Sequence, residues 1–461
     1  MRVVRGKKIA QTTKLTLISF LGLIIIGGIL LNLPIANMPG KPHDLLNSFF
    51  TATASVCVAG LSTVTAGEQY TLFGKIVMLI LIQIGALGLI FIMSSFVLLV
   101  KHKLTFKEQI NIGTILGTPE KLNEIKVLVR RIVKFTFITE VMGAVFLCIR
   151  FVPMFGPLNG AGQAIFTSVS SFCNCGYDLL GNNSLINYAT DYLVVGVCGL
   201  LTIMGSLGFV VWNEIFEKYK TKKKNHLSFR KTWLTFSTHT KLVFTMLIVM
   251  LVFGTFGIMV FEYNNPATLG EYSFFEKLFI SLFQGVSART TGMTTINLME
   301  MTNSGKFFTM ILMLIGGAPG STAGGIKTVT FAVLIITMIS SISNNKFVNV
   351  FRREISDETI KQSTAVLISA LIIISCTTMV LSALNPQIAF IDMMFEVISA
   401  LATCGYSLGI TAGLTVTSKA ILIIIMYIGR VSTVTMAMWV AGKKFKQNNS
   451  ISYPKADINV G

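Results

Sequence analysis

Long apolar runs, separated by polar and basic stretches, dominate the residue pattern of this 461-residue chain. Eight of them are long enough for a helix to cross a bilayer, which takes about 20 residues. We therefore predict eight membrane spans. We expect the first to be retained, because its apolar part is too long for a cleaved signal peptide. The runs are Leu15–Leu33, Ile76–Val100, Phe135–Phe155, Tyr192–Val211, Leu242–Phe261, Phe307–Ile315 continuing through Thr328–Ile339, Ala365–Leu384 and Ala420–Val440.

A shorter apolar run lies between the two spans of each successive pair and leads into a glycine segment. Such runs are too short to cross a bilayer and are typical of re-entrant helices. The four runs are His43–Val56, Gly162–Phe172, Phe274–Ala288 and Phe390–Ala402. The glycines that follow them are Gly60, Gly176, Gly292 and Gly405, spaced 116, 116 and 113 residues apart. This period is close to a quarter of the chain and indicates four tandem copies of one unit.

The repeat predicts an all-α integral membrane protein with four tandem helix–pore loop–helix repeats and pseudo-four-fold symmetry around a central pore. The expected repeats are residues 1–118, 119–235, 236–355 and 356–461. Their pore loops are expected near residues 57–62, 173–178, 289–294 and 402–407. Non-helical backbone at membrane depth is tolerated only where protein buries it or water reaches it. Four such turns would therefore line a central path.

Composition and charge support a membrane protein. Hydrophobic residues make up 52% of the chain and charged residues 13%, whereas soluble proteins carry about 25% charged residues. The net charge is +18, and 29 of the 38 Lys and Arg residues fall in five clusters at residues 1–14, 101–134, 218–241, 346–361 and 443–455. Basic clusters mark cytoplasmic loops, so both termini and all repeat junctions are expected inside. This placement disfavours nucleic acid as a partner, and it leaves anionic lipid or a cytosolic protein open as ligands of the clusters.

The glycine segments are the candidate ion-binding residues. Backbone carbonyls can replace the water lost by a dehydrated cation, and glycine allows the backbone angles that point successive carbonyls inward. The predicted filter residues, which would bind K⁺ through their carbonyls, are Val58, Ala59, Gly60, Asn174, Cys175, Gly176, Thr290, Thr291, Gly292, Thr403, Cys404 and Gly405. Cys173-Asn-Cys175 is only a weak metal signal, and we find no Ser/His/Asp set for a membrane enzyme. The chain is therefore not expected to be an enzyme.

An unusual segment, Gly316–Gly325, interrupts the second span of the third repeat. It holds five glycines and a proline, which will not sustain a continuous helix. We interpret the segment as a loop inserted within the membrane. A passive kink in the helix is one alternative. A phosphate-binding loop is another, although Gly320-Ser-Thr-Ala-Gly-Gly-Ile-Lys327-Thr328 misses the required spacing by one residue. Lys327 could approach either a carbonyl or a lipid head group.

A single arginine lies midway through the last apolar run. This residue is Arg430. A charge at this depth is a functional candidate, and the alternative is an arginine paired with another group where the helices pack. Acidic loop residues expected outside could raise the local cation concentration, but most are expected to be ordinary solvated charges. They are Asp44, Glu68, Asp178, Asp191, Glu271, Glu276 and Glu300.

With these features, the whole chain resembles the Trk/Ktr/HKT superfamily of bacterial and plant potassium transporters. Eight spans look more like the Ktr-type membrane subunit than like the longer Trk type. The resemblance implies potassium uptake, with the four glycines as filter glycines and glycine rather than serine at Gly60 favouring K⁺ over Na⁺. It implies an intramembrane gate made of Gly316, Gly317, Pro319, Gly320, Gly324 and Gly325, with Arg430 projecting beneath the filter.

The resemblance also implies partners and location. Ktr-type subunits form homodimers on a cytosolic ring of nucleotide-binding regulatory subunits that respond to ATP and ADP. The basic loops at 101–134 and 218–241 and the C-terminus are the expected contact surfaces. Na⁺ is a possible activator, no bound organic cofactor is expected, and the location is the bacterial cytoplasmic membrane, among membrane lipids. An ion-coupled secondary transporter of another monovalent cation remains the alternative, although such folds usually carry inverted rather than parallel repeats.

Overall fold

The computed structural model describes residues 2–88, 122–181, 183–225 and 229–431, with side chains described for 17–88, 128–181, 183–220 and 231–431. This part of the chain is almost entirely helical. Its helices are α1 Arg2–Asn32, α2 Leu45–Val56, α3 Ala66–Gln69, α4 Leu72–Leu87, α5 Leu122–Phe155, α6 Pro157–Cys173, α7 Tyr192–Ser206, α8 Phe209–Asn225, α9 Phe229–Leu234, α10 Thr238–Glu262, α11 Phe274–Ser287, α12 Asn303–Leu314, α13 Thr328–Ile342, α14 Asp357–Leu384, α15 Phe390–Ala402 and α16 Val416–Val431. Short 3₁₀ turns lie at Pro34–Ala36, Ile186–Tyr188 and Thr411–Gly413, and strands β1 (Asn349–Val350) and β2 (Arg353–Glu354) form a small antiparallel hairpin.

Several helices suit a bilayer by length and composition. Within the described residues, Leu128–Phe155, Thr238–Glu262 and Asp357–Leu384 are long and apolar enough to cross, and a bent pair would make a fourth span if counted as one. Shorter apolar helices cover Leu17–Asn32, Leu45–Val56, Leu72–Leu87 and Thr328–Ile342. The predicted runs Ile76–Val100 and Ala420–Val440 begin in α4 and α16, but their ends lie outside the described residues. So do half of the basic residues at 101–134 and all of those at 443–455.

One predicted span differs from the structure. The run Tyr192–Val211 was expected to be a single span, but α7 ends at Ser206 and α8 begins at Phe209, with a bend of 92° between them. Gly208 at the bend has φ +89°, a left-handed conformation that glycine adopts without a steric penalty. A neighbouring loop takes up the backbone groups freed by the break: Phe209 N donates to Gly320 O at 2.9 Å, and Ser206 O accepts from Ala318 N at 2.9 Å.

The short helices α2, α6, α11 and α15 form the interior. Each packs against the long helix before it, as α1 with α2, α5 with α6, α10 with α11 and α14 with α15. Their inward faces are fully buried at positions such as Phe50 and Phe395. The long helices instead leave large apolar side chains exposed, for example Phe256 and Val260 on α10. This arrangement buries the short helices and leaves an apolar outer surface that suits lipid.

Candidate functional site

The four glycine segments, 57–62, 173–178, 289–294 and 402–407, meet in the interior and contact one another in a closed order. Each glycine faces the carbonyl oxygen of the residue that precedes the next glycine, so closely that a Cβ would collide with it. The distances from an ideal Cβ are 2.1 Å from Gly60 to Cys175 O, 1.9 Å from Gly176 to Thr291 O, 2.6 Å from Gly292 to Cys404 O, and 2.8 Å from Gly405 to Ala59 O. We call this arrangement the glycine ring.

The backbone of the ring requires glycine for a second reason. Gly60, Gly176, Gly292 and Gly405 have φ values of +69°, +84°, +81° and +98°. Residues that carry a Cβ rarely adopt this left-handed backbone conformation, because the Cβ crowds the following carbonyl oxygen. A substitution at these positions therefore meets both backbone strain and a direct clash with a neighbouring segment.

Three of the short helices end in the same turn before the ring. Val58 donates from its N–H to Ser55 O at 3.2 Å, and Ala59 donates from its N–H to Ala54 O at 2.7 Å. These paired bonds form the usual left-handed helix terminus, in which the left-handed residue is most often glycine. Here the left-handed residues are Val58, Asn174 and Thr403, with φ of 56°, 58° and 49°. A β-branched residue in this conformation is strained, and such strain persists only where the surroundings enforce it.

The third segment is held differently. Thr291 N and Gly292 N both donate to Ser287 O, at 2.9 and 3.4 Å. The hydroxyl of Ser287 donates to Met293 O at 2.5 Å, so one serine anchors the segment on both sides of the glycine. The sequence pattern did not distinguish this copy from the other three.

Tyrosines after two of the glycines join different segments. The Tyr177 hydroxyl donates to Leu61 O at 2.7 Å, and the Tyr406 hydroxyl donates to Gln284 O at 3.3 Å. Sequence reasoning missed these contacts, although the aromatic residue after Gly176 and Gly405 was a visible signal. They stabilise the spacing of the ring from outside its backbone.

A cavity of about 420 Å³ opens on one side of the ring and is lined by all four glycines and by the residues that follow them. The second residue after each glycine lies on its wall: Ser62, Asp178, Thr294 and Ser407. Among the described lining residues, Asp178 is the only acidic one, and its carboxylate accepts from Leu180 N at 3.0 Å. Burial raises the pKa of this loop carboxyl to about 6. Asp178 is therefore negatively charged at neutral pH and faces the cavity.

The non-helical segment 315–327, which we call the interrupting loop, contacts residues that precede the ring glycines, whereas the cavity is lined by the glycines and the residues after them. The base of the loop is closed by a bridge between Ile315 and Ile326, with Gly316 N donating to Ile326 O at 2.9 Å. Its Thr322 hydroxyl lies 2.7 Å from the side-chain amide of Asn174, and an ideal Cβ on Gly324 would lie 1.8 Å from Thr403 Oγ1. The loop thus contacts residues immediately before two of the ring glycines.

The five glycines and the proline predicted to form the gate all fall within the interrupting loop. Gly320 and Gly325 there have φ of +69° each. A phosphate-binding loop needs free backbone N–H groups, and some of those in the interrupting loop donate inside the protein. Besides Gly316 and Ala318, Thr322 N donates to Gly205 O at 3.4 Å, and Ile326 N donates to Leu314 O at 3.2 Å. These four N–H groups are therefore not free to bind a phosphate.

Arg430 connects the interrupting loop to another helix. Its Nη1 donates to Thr322 O at 2.6 Å, and its Nη2 donates to Gly85 O at 2.6 Å and Ala86 O at 3.1 Å, at the end of α4. The last carbonyls of a helix have no partner within the helix, so the guanidinium satisfies them. Lys327, which the sequence left open between a carbonyl and a lipid, donates to Ala323 O at 2.6 Å.

A second arginine at this site was not singled out by sequence reasoning. Arg289 lies three residues before Gly292, is 5% exposed, and donates from Nη2 to Gly316 O at 3.3 Å. The equivalent residues of the other segments are Cys57, Cys173 and Ala402. The sequence did contain a signal for Arg289, since a basic residue stands where the other three segments carry small residues. The described residues contain no group of three or more His, Cys, Asp or Glu side chains placed to hold a metal ion.

Comparison with known proteins shows which family this chain belongs to. A family model described as "TrkH: Cation transport protein" matches residues 9–453. The chain belongs to this family. It is 34% identical to the potassium/sodium uptake protein NtpJ of Enterococcus hirae over 99% of both chains. It is also 34% identical to the Ktr system potassium uptake protein B of Bacillus subtilis, over 96% of this chain and 95% of that one.

A solved structure is similar in fold. The potassium transporter TrkH from Vibrio parahaemolyticus aligns with a TM-score of 0.69 at 14% identity, covering 91% of this chain and 84% of that one. At this identity the likeness concerns the fold alone. The family assignment made from the sequence is confirmed, and with the apolar helices it indicates a membrane transport protein.

Proposed function

We propose that this protein takes up K⁺ across the bacterial cytoplasmic membrane through the glycine ring, which acts as a carbonyl-lined selectivity filter. The observation that carries the proposal is the closed contact order of the four glycine segments. Carbonyl oxygens from four loops can replace the hydration shell of a K⁺ ion. The potassium uptake proteins among the relatives support the choice of cargo.

The proposal includes a four-fold architecture. The order of long helix, short helix and glycine segment recurs along the chain, and it supports the division into repeats 1–118, 119–235, 236–355 and 356–461. Each short helix would enter from the outside, reach the ring and return. Pseudo-four-fold symmetry then follows, because each repeat would supply one quarter of the ring. Both termini would lie in the cytoplasm.

The two sides of the ring receive different roles. The cavity that contains Asp178 would be the outer entrance, where its negative charge raises the local K⁺ concentration. The interrupting loop would lie on the cytoplasmic side and act as the gate, because it contacts residues just before two ring glycines. Arg430 would hold the loop in the path through Thr322 O and add a positive charge that opposes cations.

Control by a cytosolic partner is a further part of the proposal. The proposed assembly is a homodimer on a ring of nucleotide-binding regulatory subunits, with Na⁺ as activator; the Ktr system names of two relatives support a partner subunit. The basic junctions would face that ring and the anionic lipids of the inner leaflet. Opening of the gate would then depend on the nucleotide bound by the ring.

The test is K⁺ uptake in cells that lack their own uptake systems, with a regulatory subunit supplied. Wild type is expected to restore growth at low K⁺. Gly292→Ser is expected to raise the half-saturation concentration for K⁺ at least about tenfold, equivalent to about 1.4 kcal/mol, because the new Cβ meets Cys404 O.

Gly40→Ser is the matched control, since Gly40 has φ +80° but nothing within 4 Å of an added Cβ. It introduces the same side chain and the same backbone strain without the clash. No rescue by wild type, or a Gly292→Ser protein indistinguishable from wild type, would contradict the filter. Uptake that stops when a co-ion gradient is collapsed would instead favour the ion-coupled transporter.

A further inference from the structure

Arg289 is a buried cation without a matching anion. None of the four ion pairs in the described residues involves it, and its Nε has no hydrogen-bond partner there. Burying a guanidinium is unfavourable unless it is paired and hydrogen-bonded. The carbonyl end of α11, just before Arg289, offers partial compensation through the helix dipole. A buried guanidinium with so few partners suggests a role other than holding the fold together.

The neighbouring segments show that the turn before the ring does not require an arginine. Cys57, Cys173 and Ala402 occupy the equivalent register and are small and uncharged. The three glycines that follow them have the same left-handed conformation as Gly292. The arginine is therefore specific to the third segment, whose own repeat carries the interrupting loop.

The one described hydrogen bond of the Arg289 side chain reaches the base of that loop. Gly316, whose carbonyl accepts from Arg289 Nη2, is the second residue after α12 ends. Its N–H closes the base of the loop on Ile326 O. Arg289 thus joins the third glycine segment to the base of the loop, while Arg430 joins α4 to its middle at Thr322.

We propose that Arg289 is a positioning residue that holds the base of the interrupting loop against the third glycine segment. This inference rests on the proposed function of the loop as a gate. With the tether in place, the loop stays beneath the ring. When the hydrogen bond to Gly316 O is lost, the base is freed and the loop spends more time out of the path.

Uptake kinetics test the tether. Arg289→Gln is expected to raise the maximal rate of K⁺ uptake about fivefold to tenfold, because this 3.3 Å bond is long for a charged donor and should contribute about as much as an ordinary hydrogen bond. The half-saturation concentration and the K⁺/Na⁺ ratio are expected to stay unchanged, because the ring carbonyls are not touched. Arg289→Lys is expected to behave like wild type, since one ammonium can serve one carbonyl. Arg150→Gln, which removes an equal charge from a half-exposed ion pair with Asp191, is the control and should change nothing.

A second measurement does not depend on transport. Ser321 lies in the loop, and its hydroxyl is buried without a described hydrogen-bond partner. In the full-length protein, Ser321→Cys should react slowly with a thiol reagent applied from the cytoplasmic side. Combined with Arg289→Gln it should react several times faster. Labelling of wild type and of Arg289→Gln, both with Ser321 intact, gives the background from the seven native cysteines, which is subtracted.

Three outcomes would overturn the tether. A changed half-saturation concentration or K⁺/Na⁺ ratio with unchanged labelling would mean that Arg289 acts on the ring. Unchanged rate and unchanged labelling would mean that it holds nothing. Loss of both the Gln and the Lys protein from the membrane would mean that its role is structural. If wild type itself carries no K⁺, the gate proposal fails, yet the labelling still reports whether Arg289 holds the loop.

Discussion

The glycine ring and the interrupting loop are adjacent non-helical regions, but they are held to different extents by backbone and by side-chain bonds. The ring is held by backbone bonds to the ends of its own short helices, and each glycine leaves no room for a Cβ. The loop has backbone bonds to the bend between α7 and α8, and it also contacts remote parts of the chain through side chains such as Arg430, Arg289 and Thr322. A region enforced from its own backbone suits a filter that must keep its geometry. A region held by exchangeable side-chain contacts suits a gate.

The largest expected effect comes from releasing the loop at its middle. Arg430→Gln removes charge-assisted bonds to Thr322 O, Gly85 O and Ala86 O, each worth about 1.5–3 kcal/mol when made to a charged group. We expect the maximal K⁺ uptake rate to rise at least about tenfold with little change in K⁺/Na⁺ selectivity. Initial rates of tracer uptake in energised cells measure both. Lys327→Gln, which removes a cation bonded only within the loop, is the comparison. An equal rise there would show that charge, and not the link to α4, controls the loop.

A smaller effect is expected from loosening the ring. Tyr177→Phe removes the 2.7 Å bond to Leu61 O, and a neutral hydrogen bond contributes about 1 kcal/mol. We expect the K⁺/Na⁺ ratio to fall about fivefold while the maximal rate changes little, the reverse of the Arg430 pattern. Competition of Na⁺ with K⁺ uptake measures this. Tyr188→Phe, on the 3₁₀ turn further along the same loop, provides the control. A Tyr177→Phe protein with faster uptake and intact selectivity would remove the distinction between the two regions.

The smallest expected effect concerns the entrance. Since the pKa of Asp178 is raised to about 6, the carboxylate is charged at pH 7 and largely protonated at pH 5. Uptake at limiting K⁺ should therefore fall about twofold as the external pH drops through 6, and the maximal rate should stay constant. Asp178→Asn should show the lower rate at both pH values. Glu271→Gln removes the same charge from an exposed loop residue outside the cavity wall and should keep the wild-type pH profile. A fall of equal size in Asp178→Asn would assign the titration to another group.

Much of the helical order could be predicted from residue pattern. The short helix predicted at Phe390–Ala402 begins and ends at those residues, and the glycine and proline content of Gly316–Gly325 indicated the break between α12 and α13. These features are local, because apolar length and helix-breaking residues act within a few positions. The run Tyr192–Val211, predicted as a single span, is bent by 92° for a non-local reason. Its break at Gly208 is satisfied by carbonyl and N–H groups of a loop about 110 residues later in the chain.

Residue order alone revealed the membrane class, the period of the four glycine segments and the family, because each depends on composition, spacing or motif. The assignment of a filter and a gate stays a proposal that these experiments test. Only the folded chain shows which carbonyl faces which glycine. It also shows that Arg289 and Arg430 both donate to the interrupting loop. All of these contacts except that of Arg289 with Gly316 join residues more than 100 positions apart, and they depend on how the helices pack and not on local preference.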